Sequence, residues 1–138
     1  MDKKPSTSKN ERQILKKFLA RYYKAKKQQS ILQERFIRMR SEFDGETKHS
    51  EIEARIKDQK EQAKKSVHQI MEILDILPQG SIERTIMELR HIDCKTWKQI
   101  QIAVFLTSSP CYAYYNKGLD TLLAESKVRK IIGLSKKA

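Results

Sequence analysis

Glycine and proline are scarce, with four Gly and three Pro in 138 residues. A sheet protein of this length needs many tight corners, and these residues cannot supply them, so long helices are expected. Cysteine is scarcer still. Cys94 and Cys111 stand 17 positions apart with no CxxC spacing, and His49, His68 and His91 are scattered, so no metal site is expected. Cys111 reads as a small buried hydrophobe and Cys94 as a turn residue. No apolar run approaches the length of a signal peptide or a membrane span, and the expectation is a cytoplasmic protein with no membrane partner. A Gly-rich phosphate loop and a nucleophile with a nearby base are also missing, so neither an enzyme nor a cofactor is expected. The carboxylates keep i,i+4 company with Lys, as at Glu53–Lys57 and Glu61–Lys65, which is helix-surface pairing.

What the chain has in quantity is charge. Charged residues make up 33% and hydrophobic ones only 38%, with 29 Lys/Arg against 17 Asp/Glu and a net charge of +12. Residues 1–44 hold 13 Lys/Arg against 5 Asp/Glu, residues 45–80 hold 6 against 7, and residues 81–138 hold 10 against 5. Positive charge thus flanks a neutral middle. Such a field attracts polyanions at short range, nucleic acid first and an anionic membrane surface second.

After a polar, basic lead-in over residues 1–9, expected to be disordered, a helical period begins at Glu11. Leu15, Phe18, Tyr22, Ala25, Gln29, Leu32, Phe36, Met39 and Phe43 follow alternating steps of three and four, a coiled-coil seam. Asp44-Gly45-Glu46-Thr47 breaks it with turn-forming residues. A second seam runs through Ile52, Ile56, Gln59, Ala63, Ser66, Ile70, Ile73 and Leu77, widened by Val67 and Leu74. Two seams of similar length joined by a short turn predict an antiparallel helical hairpin over residues 10–80.

Pro78 and Gly80 stop that hairpin and Ser81 caps the next helix. Three short helices fit the remainder, at 82–91, 96–106 and 108–124. Ile82, Ile86 and Leu89 set a face of the first, and Asp93-Cys94-Lys95 make a turn. Thr96 with Gln99 is a capping box opening a second helix with Ile100, Val104 and Leu106 inside. Thr107, Ser108, Ser109 and Pro110 open the third. Trp97 reads as a core anchor, and Tyr112, Tyr114 and Tyr115 cannot all be buried. The expected fold is therefore all-α: the coiled-coil-like hairpin, then a three-helix helix-turn-helix module over residues 81–126, then a basic tail over 127–138.

Leu89-Arg90-His91-Ile92-Asp93, Thr96-Trp97, Ile100, Tyr112 and Gly118-Leu119-Asp120-Thr121-Leu122 resemble the phage late-gene transcription regulators of the RinA/ArpU kind. Their C-terminal module is similar to region 4 of bacterial sigma factors. The resemblance covers about residues 82–123 and extends more loosely to the hairpin. Two positions depart from it: Gln101 stands where the family has Ala, and Phe105 where it has the Gly of the turn. A second register would instead place Ile102-Ala103 and Thr107 there. The resemblance implies a transcription regulator, an activator of phage or prophage late genes in a bacterial host cell, with double-stranded DNA as its partner. Lys95, Thr96, Lys98 and Lys117 would then hold phosphates, and Ser108, Ser109, Ala113 and Asn116 would approach bases. The hairpin would serve dimerisation, or contact RNA polymerase or another phage or host protein. The departures at Gln101 and Phe105 keep open a protein–protein adaptor or inhibitor with a degenerate helix-turn-helix.

Overall fold

The computed structural model describes residues 4–42 and 46–135. Its secondary structure there is entirely helical: α1 (Lys4–Leu19), α2 (Arg21–Glu42), α3 (Glu46–Leu74), α4 (Ile82–His91), α5 (Trp97–Val104), α6 (Ser108–Leu123) and α7 (Ser126–Ile132). No helix among the described residues is long and apolar enough to cross a membrane.

The two seams lie where their spacing puts them. Ala25 and Ala63 are buried, and Tyr22, Gln29, Leu32, Phe36, Met39, Ile52, Ile56, Gln59 and Ser66 are half-buried. Residues 21–28 of α2 sit opposite 59–69 of α3, and 32–39 opposite 51–55, so the two helices run in opposite directions. The small side chains of Ala25 and Ala63 let the backbones approach closely. Seam position Phe43 and turn residues Asp44 and Gly45 lie outside the described residues, while Glu46 and Thr47, expected in the turn, are helical.

The N-terminal seam departs from the expected single rod. The helix starts at Lys4, so residues 4–9 are helical rather than part of a disordered lead-in. It then bends at Ala20, where hydrogen bonds Ala20 N–H to Lys16 C=O (3.0 Å) and Lys24 N–H to Ala20 C=O (3.1 Å) still carry the chain through. The bend has a packing cause. Leu15, Phe18 and Leu19 are buried in one core with Ile70, Ile73, Leu74 and Leu77 from the end of α3 and with residues of α4 to α7, whereas the seam beyond Ala20 faces α3. The boundary expected near residue 80 therefore runs through packed residues, and α1 belongs to the globular end.

That end is built as the local signals require. The Ser81 hydroxyl accepts from Arg84 N–H at 3.2 Å. The Thr96–Gln99 capping box is complete, with Gln99 N–H donating to the Thr96 hydroxyl at 3.2 Å and Thr96 N–H to Gln99 Oε1 at 3.0 Å. Gly118 permits α4 and α6 to touch, since a Cβ there would meet Met87 Cε at 3.0 Å and Glu83 Cβ at 3.4 Å. The segment from 127 is not a free basic tail. Val128 and Arg129 are buried in α7, and Arg129 donates to Glu11 (2.7 and 3.1 Å), to the Leu123 carbonyl (3.2 Å) and to the Ser135 carbonyl (2.6 Å). A guanidinium can be buried there because a carboxylate and two carbonyls meet its donors.

These contacts separate two kinds of ion pair. Glu11→Ala leaves Arg129 buried without its counter-charge and should cost about 3–5 kcal/mol. Arg12→Ala breaks a bidentate pair with Asp120 (2.6 and 2.8 Å) whose side chains are 30% and 50% exposed, and should cost under about 1 kcal/mol. Urea unfolding of both variants checks the contrast, and equal losses would show that α7 does not hold α1 through Arg129.

Candidate nucleic-acid interface

Two short turns present the candidate residues, and each contains a residue in left-handed backbone. In the α4–α5 turn Cys94 has φ 56, held by Lys95 N–H donating to the Leu89 carbonyl at 2.9 Å. In the α5–α6 turn Phe105 has φ 58 and ψ 41, and Leu106 N–H reaches back to the Gln101 carbonyl at 3.1 Å. A side chain with Cβ is strained in this region, which suits Gly. Phe105 is thus the left-handed residue of this turn, while Thr107 has ordinary extended backbone and stands at the N-cap of α6 without a side-chain capping bond. Gln101 is half-buried, and α5 packs on α6.

Helix α6 buries Cys111, Tyr115, Gly118, Leu119, Leu122 and Leu123. On the far side, at four-residue spacing, Ser109, Ala113 and Lys117 are exposed, and Ser108 is exposed at the helix start. Lys95, Thr96 and Lys98 are exposed around the start of α5. Among the described residues, Lys95 and Lys98 form no ion pair with a carboxylate. Two of the expected readers are compromised. Asn116 is half-buried, and Lys117 Nζ lies 3.4 Å from Glu83 Oε2, which offsets its charge. Further along α6, Asp120 faces outward and is covered by Arg12 of α1.

Behind these turns lies an aromatic cluster. Trp97 packs on Tyr112 (ring centroids 4.5 Å apart) and edge-on to Tyr115 (4.9 Å), and the Arg90 guanidinium sits 5.1 Å from the Trp97 ring centre. Trp97 is half-buried against the core rather than enclosed in it, and of the three tyrosines Tyr115 is buried, Tyr114 half-buried and Tyr112 exposed. Beneath them, His91 Nε2 and the Tyr115 hydroxyl are 2.8 Å apart, and His91 also meets the backbone of Leu19 at the α1–α2 bend. With its proton toward Leu19, the ring accepts from Tyr115. Burial, then the nearby Arg90 charge, push the His91 pKa down to about 3. Burial pushes the Tyr115 phenol above its usual range, and it raises both cysteine thiols, keeping them protonated at neutral pH.

Sequence reasoning did not anticipate what the fold brings to this side. Lys16 and Tyr23, from the α1–α2 bend, share a surface concavity with Lys95 and Thr96, and the charge of Lys26 is felt at Cys94. Their only sequence signal is the basic face of the first seam. Ile102 and Phe105 are 68% and 91% exposed, a second unanticipated feature. Among the described residues there is no cluster of His, Cys, Asp and Glu that could hold a metal ion.

The depressed His91 pKa sets a pH dependence. Below pH 6.5 the unfolded chain takes up a proton that the folded chain refuses until about pH 3, so lowering the pH favours unfolding. Stability should be level from this group above pH 6.5 and fall by about 2 kcal/mol between pH 6.5 and 5. Urea midpoints at pH 7 and pH 5 measure it, and His91→Gln should abolish the difference. A wild-type midpoint unchanged over that interval would show a solvated imidazole.

Compared with known protein families, curated proteins and solved structures, the chain gives no match.

Proposed function

We propose that this chain is a sequence-specific, double-stranded DNA-binding transcription regulator in which α5 and α6 act as a helix-turn-helix and α2 and α3 as a helical hairpin. The observation that carries the reading is the convergence of cationic residues from distant parts of the sequence. Lys16 of the N-terminal arm lines one concavity with Arg90 and Lys95, beside Tyr112 of α6. A phosphate backbone lying along this side would meet Lys95, Thr96 and Lys98 at the start of α5, and release of its counterions would supply most of the affinity. Ser108, Ser109 and Ala113 would face base edges at the start of α6. Base discrimination is modest here, since the stripe has no Arg and Asn116 is only half open. Lys117 contributes little to phosphate binding while it is paired with Glu83.

Activation of phage or prophage late genes is what the resemblance adds. The hairpin then serves a protein contact, either a second copy or RNA polymerase. What supports this is its seam, whose Leu32, Met39, Ile52 and Ile56 are half-buried. The adaptor reading has its own support in Ile102 and Phe105, since a large exposed apolar pair beside a strained turn suits a protein partner.

Duplex binding measured by fluorescence anisotropy over 50–200 mM salt tests the proposal. Affinity should fall steeply with salt, and Lys95→Gln with Lys98→Gln should reduce the slope by about two counterions on every sequence. Ser109→Ala should instead lower preference for the best fragment, leaving the slope unchanged. Absence of duplex binding at the lowest salt, with Phe105→Ser abolishing capture of a specific protein, would replace this reading with the adaptor.

A further inference from the structure

A cavity of about 440 Å³ opens where the α1–α2 bend passes the α4–α5 turn and α6. That volume falls within the roughly 300–1,000 Å³ of small-molecule sites. Its electrostatics are one-sided: Lys16, Arg90 and Lys95 line it and no carboxylate does. Arg90 is committed to the wall, since its guanidinium donates to the Lys95 carbonyl at 3.0 Å and lies over Trp97. Lys16 and Lys95 have no carboxylate partner among the described residues, and Lys16 Nζ rests 5.8 Å from the Tyr115 ring centre. Two unpaired ammonium groups at one opening repel each other and favour an anion between them.

The rest of the wall is aromatic. Tyr23 and Tyr112 are 49% and 42% exposed, and Trp97 stands between the Arg90 and Tyr112 sides. His91 and Tyr115 satisfy each other's polar atoms and form the floor. A bare inorganic anion would leave the aromatic surface wet, and an uncharged ring would leave the ammonium groups unpaired. We infer that the cavity binds a nucleoside monophosphate unit, its phosphate at Lys16 and Lys95 and its base against Tyr23, Trp97 and Tyr112. Stacking of a base on aromatic rings beside cationic groups is the general chemistry of unpaired nucleotide recognition. The unit comes either as a free nucleotide or as the phosphorylated end of a single strand. This site goes beyond duplex reading by α6, and only Lys16, Lys95 and Thr96 are shared between them.

Trp97 is the chain's one tryptophan, so its fluorescence reports on the cavity directly. The full chain is titrated with adenosine monophosphate, adenosine, inorganic phosphate, and a short single strand with and without a 5′-phosphate. Adenosine monophosphate or the phosphorylated strand should give a saturable change, and adenosine or phosphate alone should bind at least about ten-fold more weakly. Whichever of the first two binds more tightly identifies the source. Lys16→Gln with Lys95→Gln should weaken that binding by about ten-fold or more at an unchanged thermal midpoint, and Lys60→Gln, an exposed lysine of α3, should not. The proposal is overturned by no saturable change with either nucleotide probe, by inorganic phosphate matching them, or by wild-type affinity in the double Lys variant. Because no duplex is present, loss of duplex binding would leave this result standing, and the reverse also holds.

Discussion

Burial of Leu15, Phe18 and Leu19 beneath α6 and α7 is the constraint on which the rest of the arrangement depends. It draws the first helix out of the seam that it starts and makes it part of the globular end. The bend at Ala20 results, and with it the meeting of the Leu19 backbone and His91. From His91 the polar thread continues to Tyr115, and from Tyr115 through ring contacts to Trp97 and the start of α5. Without that docking the α4–α5 turn would lack its neighbour, and neither the cavity nor the convergence of charge would exist.

The large positive charge is divided between structural and free groups. Arg12, Arg84 and Arg129 are spent inside the fold on Asp120, on Asp75 and Glu88, and on Glu11. Those pairs raise the guanidinium pKa values through side-chain hydrogen bonds, and the pairs of Arg12 and Arg129 tie helices distant in sequence. The cations near the proposed interface are mostly lysines. This division suits the two side chains, because a planar guanidinium satisfies several acceptors at once while an ammonium on a flexible stem meets phosphate in water.

Strain at Phe105 calls for compensation, and the structure holds it in place through the Leu106 N–H bond to the Gln101 carbonyl and the packing of α5 on α6. The ring itself contributes nothing to the core, being almost wholly exposed. A glycine would fit the backbone better, and nothing within the described fold explains the aromatic group at this position.

The periodic features of this protein were legible in its sequence because they are local. Heptad spacing placed Ala25, Ala63 and Ile70 on inward faces; Ser81 and Thr96 with Gln99 announced the starts of α4 and α5, whose capping bonds need no distant partner. Lys95, Lys98, Ser109 and Ala113, singled out through the resemblance, are exposed. What the sequence could not reveal is which surface each apolar face would choose. Leu15 and Phe18 continue the same seam as Ala25, yet they pack on another part of the molecule, because a core built from six helix ends buries them more completely than a two-helix pair can. Arg129 looked like tail charge until Glu11 was beside it, and Asn116 and Lys117 looked free until α4 lay alongside α6. Charge pairing and side-chain access depend on neighbours far away in the chain, so only the tertiary structure decided them.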